Sequence, residues 1–296
     1  MSRYLFAVLL ALCALSTPAE AARFWCNERF LNPAGNPFDA QHLKVARRGY
    51  LYAVAAALAL QQDNAEGRAY HFATPARLRE VDRPRRERSG FEVTTFELLD
   101  APEGKVQEVV IAFAGSNDDV DWDMTNFGED LRQYTQARRY VRKIAALPAY
   151  QGVRLVVTGF SLGGALAVHV TKHAETRQLV SETWAFNPSP KTWVGGQLDR
   201  RIWLAAAANE GLRIARKISI ALVPGVARIG APVNQRAEGF YLLDANPVVS
   251  HYRWVLTRNI LHVADLAMRI EQGSDAVTEP LQILQASRFR PCRSGI

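Results

Sequence analysis

Ser161 stands in Gly159-Phe160-Ser161-Leu162-Gly163-Gly164, a G-x-S-x-G pattern whose serine hydroxyl can serve as a nucleophile. The run before it, Arg154-Leu155-Val156-Val157-Thr158, is short and apolar without alternation, which predicts a strand buried on both faces. The Ala-rich stretch from Leu162 to about Glu175 predicts a helix. In so tight a strand-to-helix turn the serine takes a strained backbone conformation, and side chains at 159 and 163 would collide. The hydroxyl then projects from the sheet edge, and the helix N-terminus offers N–H groups and a favourable dipole to a developing oxyanion. The N–H of Leu162 is the first expected donor. The bland alternative is a plain Gly-rich turn.

The elements that would position this serine follow along the chain. Asp39 to Gln62 predicts a helix, and the polar, Arg-rich, Pro-punctuated segment from Thr74 to Ser89 predicts a loop. Phe91 to Phe96 and Gln107 to Ala114 have strand composition and flank the turn signal Pro102-Glu103-Gly104, so a hairpin is expected. Past the serine come short apolar runs at Thr183–Phe186, Arg201–Ala207 and Phe240–Leu243, separated by helical or loop segments. The run Arg201–Ala207 is ambiguous, because four consecutive alanines suit a helix equally well. Strands alternating with helices predict an α/β fold, a mostly parallel sheet with helices on both faces.

The elbow with its continuation Ala165-Leu166-Ala167 resembles that of the class 3 (fungal triglyceride-type) lipases, with Phe160 where that family usually has His. Ala112-Phe113-Ala114-Gly115-Ser116 resembles the family's F-R-G-T strand end, with Ala114 and Ser116 in place of Arg and Thr. Asp121-Trp122 with Asn126-Phe127, and Ala185-Phe186-Asn187-Pro188, resemble the segments beyond it. The resemblance covers about Phe91 to Pro190, with a weaker tail to Ala264, and implies an α/β-hydrolase fold and ester hydrolysis; residues 22–296 are expected to form one such domain. Ser116 would supply the second oxyanion donor through its N–H and hydroxyl.

A serine nucleophile needs a base at neutral pH, and the chain has six His. The chain order expected in this fold is Ser, acid, His. His42 and His71 precede Ser161, and His169 and His173 lie about two and three turns along the helix behind it, out of reach. Between the remaining two, helical phase decides. From Tyr252 to Ile270, Leu256, Ile260, Val263, Ala267 and Ile270 share one face. Arg258, His262, Asp265 and Arg269 share the other, so His262 is expected on the solvated side. His251, in the loop after the last strand, is the expected base. The acid that orients it is expected after the third strand counted from the elbow, which makes Glu210 the first choice. Asp244, at the end of the fourth, is the second. Asp118, Asp119, Asp121 and Asp123 cluster without EF-hand spacing, and no H-E-x-x-H or paired C-x-x-C occurs, so no metal or other cofactor is expected.

The composition of the 296 residues, 48% hydrophobic and 22% charged, excludes a disordered, collagen-like or disulfide-dense chain. Arg3, the apolar run Tyr4–Leu15 and Ala19-Glu20-Ala21 read as a signal peptide over residues 1–21, which predicts a periplasmic or secreted protein. Cys13 leaves with it. Cys26 and Cys292 remain, and in an oxidising compartment they are expected to pair, unless the two thiols never meet. The net charge of +7 comes from scattered Arg clusters, including Arg138 to Lys143 and Arg213 to Lys217. No aromatic residues interleave with them, so nucleic acid is not an expected partner. The clusters read as solvated surface, or as attraction to an anionic membrane surface.

Three functions compete at this level. The first is an exported serine ester hydrolase of lipase type acting on lipid or other acyl esters. Its loops Asn117–Arg132 and Ser189–Gln197 would line an acyl pocket with Trp122, Met124, Phe127, Trp193 and Val194. The second is a phospholipase, favoured by export and a basic surface. The third is an inactive hydrolase fold serving as a binding or structural envelope protein. A peptidase is compatible with the triad chemistry alone.

Overall fold

The computed structural model describes residues 25–26, 36–61, 68–115, 131–217, 223–244 and 246–290. The expected signal peptide, Ser116, the Asp118–Asp123 cluster and Cys292 lie outside the described residues, as does the side chain of Cys26, and with them the expected disulfide.

In chain order the elements are β1 (Trp25–Cys26), α1 (Ala40–Ala59), β2 (Leu78–Asp82), β3 (Val93–Leu99), β4 (Val106–Phe113), α2 (Arg132–Ala145), β5 (Arg154–Phe160) and α3 (Leu162–Lys172). There follow β6 (Glu182–Phe186), β7 (Ile202–Ala207), α4 (Leu212–Lys217), β8 (Arg236–Phe240), β9 (Leu243–Asp244), α5 (Arg253–Gln272) and α6 (Glu279–Ala286). A seven-stranded sheet runs in the order β2-β3-β4-β5-β6-β7-β8. Strands β2 to β4 are antiparallel, and β4 to β8 are parallel.

Because the crossovers from β4 to β5 and from β5 to β6 step the same way along the sheet, right-handed connections put α2 and α3 on one face. There Val109, Ile111, Phe113, Leu155 and Val157 meet Tyr134, Val141, Leu166 and Val170. The opposite face would be bare. It is covered by α1, which precedes the sheet, and α5, which follows it. Val110, Ala112, Val156 and Phe160, the alternate positions on the same strands, pack there with Trp184 of β6. Helix α1 opens on Asp39, whose carboxylate accepts from the His42 N–H at 2.8 Å.

Three expectations need correction. The loop expected from Thr74 to Ser89 contains β2, an edge strand with only Leu78 fully buried, so its Arg79, Glu80 and Asp82 read as loop chemistry. The strand expected at Phe240–Leu243 is β8, five residues ending at Phe240. As the other edge of the sheet it is polar (Arg236, Glu238), and the apolar Leu242 and Leu243 belong to the chain leaving it for β9, which pairs with β1. His262 is half-buried rather than solvated, because α5 packs against both α1 and α6 and turns little of itself to water. Burial, with Arg258 and Arg269 nearby, pushes its pKa down to about 3. Asp265, on the same expected polar face, is buried and accepts from Thr278 Oγ1 at 2.6 Å. The alanine-rich β7 is a strand, buried along its whole length, so sheet burial overrides helix propensity there.

Candidate active site

Parallel strands open their C-terminal ends to one edge of a sheet, and loops gather there. Ser161 follows β5 at that edge with φ 55° and ψ −118°. A positive φ in a non-glycine residue costs about 1–3 kcal/mol and persists only where the surroundings enforce it. Here the Ser161 N–H donates to the Phe186 carbonyl at 3.0 Å, and its own carbonyl accepts from the N–H of Ser189 at 3.0 Å. A Cβ on Gly159 would lie 2.2 Å from the Gly163 carbonyl carbon, and one on Gly163 2.1 Å from the Phe113 carbonyl oxygen. Both glycines are therefore required by contact. Leu162 opens α3, so its N–H has no partner one turn back in the helix.

His251 ends a short 3-10 turn, Val249–His251, just before α5. Its Nε2 lies 2.9 Å from Ser161 Oγ, and its Nδ1 2.8 Å from Glu210 Oε2. A carboxylate can only accept, so Nδ1 carries the proton and Nε2 is left to accept from the serine hydroxyl. Phe160 packs against the His251 ring, centroids 5.8 Å apart and tilted 63°. Asn187, fully buried with φ 40°, ties the site together from behind. Its Oδ1 accepts from the Ala207 N–H at 2.9 Å, and its Nδ2 donates to the carbonyls of Ser250 and His251, each at 3.4 Å. Sequence reasoning gave Asn187 no role of its own. The available signal was an amide at a strand end, directly before Pro188.

Glu210 sits past the end of β7 with its side chain wholly buried. Burial alone would raise its pKa, but the Arg216 charge and the hydrogen bond from His251 outweigh it, and the carboxyl is held below the ordinary carboxylate value. The Leu212 N–H also donates to Oε2 at 2.9 Å. Asp244, the other candidate acid, lies in β9 with its backbone paired to Trp25, and Glu210 occupies the position at His251 Nδ1. Gly115, next to Ser116, sits against the elbow: a Cβ there would be 3.4 Å from Ser161 Cβ.

The other histidines stand apart from this cluster. His169 donates from Nδ1 to the Thr192 carbonyl and accepts at Nε2 from Arg138, both at 2.8 Å, so it is neutral and anchors the Ser189–Gln197 loop. Trp193 of that loop packs against the α2–α3 core.

A strained serine at the end of a buried parallel strand, with an imidazole and a buried carboxylate in line behind it, has the composition and order of a nucleophile, base and orienting acid. Residues 51–183 match the family model of a Tle-like phospholipase domain, consistent with the lipase-like α/β-hydrolase family to which the elbow and its flanks point. That stretch includes Ser161 and ends before Glu210 and His251. No curated protein matches the chain. Among solved structures, the Rhizomucor miehei lipase propeptide complex is similar at 14% identity and TM-score 0.39, over 58% of this chain and 63% of that one. The chain thus spans less than two thirds of that lipase. The Lip2 lipase of Yarrowia lipolytica is similar at 11% identity and TM-score 0.36, over 58% and 75%. A fungal lipase–inhibitor complex is similar at 16% identity and TM-score 0.39, over 63% and 76%.

Proposed function

We propose that this chain is an exported serine ester hydrolase of the lipase or phospholipase type, with Ser161 as nucleophile, His251 as general base and Glu210 as the orienting acid. The observation that carries the reading is the pair of hydrogen bonds on His251, 2.9 Å to Ser161 and 2.8 Å to Glu210. Ser161 Oγ attacks the acyl carbon as its proton passes to His251 Nε2. The carbonyl π electrons move to the oxygen, which the N–H of Leu162 and the N–H and hydroxyl of Ser116 stabilise. Collapse of the tetrahedral intermediate expels the alcohol, which takes the proton from His251. Water, deprotonated by the same imidazole, then releases the acid and restores Ser161. Glu210 keeps the imidazole in the tautomer this requires and stabilises the imidazolium.

The substrate class is a lipid or other acyl ester. The phospholipase-like match over residues 51–183 and the Arg-rich surface both favour an anionic lipid interface. Residues 22–296 are taken as the mature domain, with Cys26 and Cys292 joined and the protein in the periplasm or outside the cell. The test is hydrolysis of p-nitrophenyl esters of graded chain length and of phospholipid vesicles by the mature protein and by Ser161→Ala. Ester cleavage lost in the variant is expected. Inactivity toward every ester and toward vesicles would favour the inactive envelope-protein reading instead.

A further inference from the structure

Arg216 lies in α4, inside the Arg213 to Lys217 cluster that reads as solvated surface, yet its side chain is only 2% exposed. It is ion-paired with Glu210 Oε1, and its Nη1 donates to the Pro188 carbonyl at 3.1 Å. The two oxygens of Glu210 are thereby divided. Oε1 goes to Arg216, and Oε2 to His251 Nδ1 and the Leu212 N–H. Pro188 precedes Ser189, whose N–H bonds the Ser161 carbonyl. One guanidinium thus touches the carboxylate behind the histidine and the chain segment that braces the serine.

We propose that Arg216 is a positioning residue of the triad. Its buried ion pair keeps Glu210 ionised and turned so that one oxygen serves His251, and its bond to Pro188 holds that carboxylate in register with Ser161. The inference rests on the hydrolase reading above and deepens it. A buried carboxylate without a partner takes up a proton, and a protonated Glu210 no longer has to accept from Nδ1–H. A planar fork with several fixed donors can serve a carboxylate and a carbonyl at once, which an ammonium does with far less definition.

Among the described residues, the charged groups around this pair are few. Glu238 Oε2 lies 3.8 Å from the same guanidinium, and Arg236 pairs with Glu238 Oε1. Arg213 donates to the Ala208 carbonyl. Removing Arg216 therefore takes away the cation in direct contact with Glu210 and leaves Glu238 nearby. Loss of that cation, with Glu238 no longer offset by it, raises the proton affinity of the Glu210–His251 pair as a unit.

The experiment is a double-mutant cycle on ester hydrolysis, with Arg216→Met, Glu210→Gln, their combination and Arg216→Lys, each with a pH–rate profile and a thermal unfolding curve. Arg216→Met is expected to lower kcat roughly 10²-fold with little change in KM and to move the acid limb to higher pH. Arg216→Lys is expected to keep the limb, because the charge stays, and to recover only part of kcat, because an ammonium cannot hold Glu210 and the Pro188 carbonyl with the same definition. The combined variant is expected within about threefold of Glu210→Gln alone, since Arg216 acts through Glu210. Additive losses, or an unmoved acid limb in folded Arg216→Met, would overturn the proposal while leaving the hydrolase reading intact. If Arg216→Met does not fold, Arg216→Gln takes its place in the cycle, with the same non-additivity expected. A wild-type chain that neither cleaves esters nor reacts with a fluorophosphonate at Ser161 would overturn both.

Discussion

His251 Nε2 lies 2.9 Å from Ser161 Oγ, although the two residues are 90 positions apart in the chain. The contact joins an elbow at the end of β5 to a 3-10 turn that precedes α5. Ser161→Ala and His251→Asn should each reduce ester hydrolysis by roughly 10³-fold or more, because each removes a member of a unit that works only whole. Unfolding midpoints should stay close to wild type, which circular dichroism melts would check.

Asn187 holds the carbonyls of Ser250 and His251 to the end of β7. Asn187→Ala removes those bonds and leaves the buried Ala207 N–H without its acceptor, a loss of about 1–3 kcal/mol. The turnover number should fall together with stability, and urea unfolding alongside kinetics would register both. Unchanged values for each would remove Asn187 from the site's framework.

The elbow glycines are a packing requirement. In Gly163→Ala the new Cβ would press on the Phe113 carbonyl from 2.1 Å. The variant should lose about 1–3 kcal/mol or fail to accumulate in folded form. Denaturant titration reads this directly, and a variant of wild-type stability would contradict the close approach of α3 to β4.

Acid should weaken the fold through His169. Its pKa is pushed down to about 4 from 6.5, first by burial and then by Arg138 and His173. The unfolded chain therefore takes up a proton at this site below about pH 6.5, and the folded chain does so only near pH 4. Between these limits the unfolded state binds more protons, so stability falls as pH falls, by up to about 1.4 kcal/mol per pH unit from this group. Urea midpoints measured from pH 7 to 4.5 should show that slope added to one of the same sign from His262, and His169→Gln should reduce the total by the His169 share.

How far the sequence reaches depends on which physical signal each residue carries. The elbow is legible because close packing leaves glycine as the only solution at 159 and 163, flanked by a buried strand and a helix. Strand counting leads to Glu210, and chain order with helical phase leads to His251. Helical phase alone puts His262 on a surface stripe, but a helix covered by two others has no solvated stripe to infer. Strands β2 and β8 were blurred for a related cause: edge strands bury little, so their composition resembles loops. Arg216 was invisible in a cluster of basic residues, since nothing local separates a buried guanidinium from a solvated one. Its place depends on Glu210 and Pro188, which only the folded chain brings to it.

The central claim is that Ser161 is a nucleophile activated by His251. Incubating the protein with a fluorophosphonate and mapping the adduct by peptide mass spectrometry tests it without knowledge of the natural ester. Stoichiometric phosphonylation of Ser161 is expected, slowed by several orders of magnitude in His251→Asn. An unmodified Ser161, or one modified equally fast without His251, would contradict it.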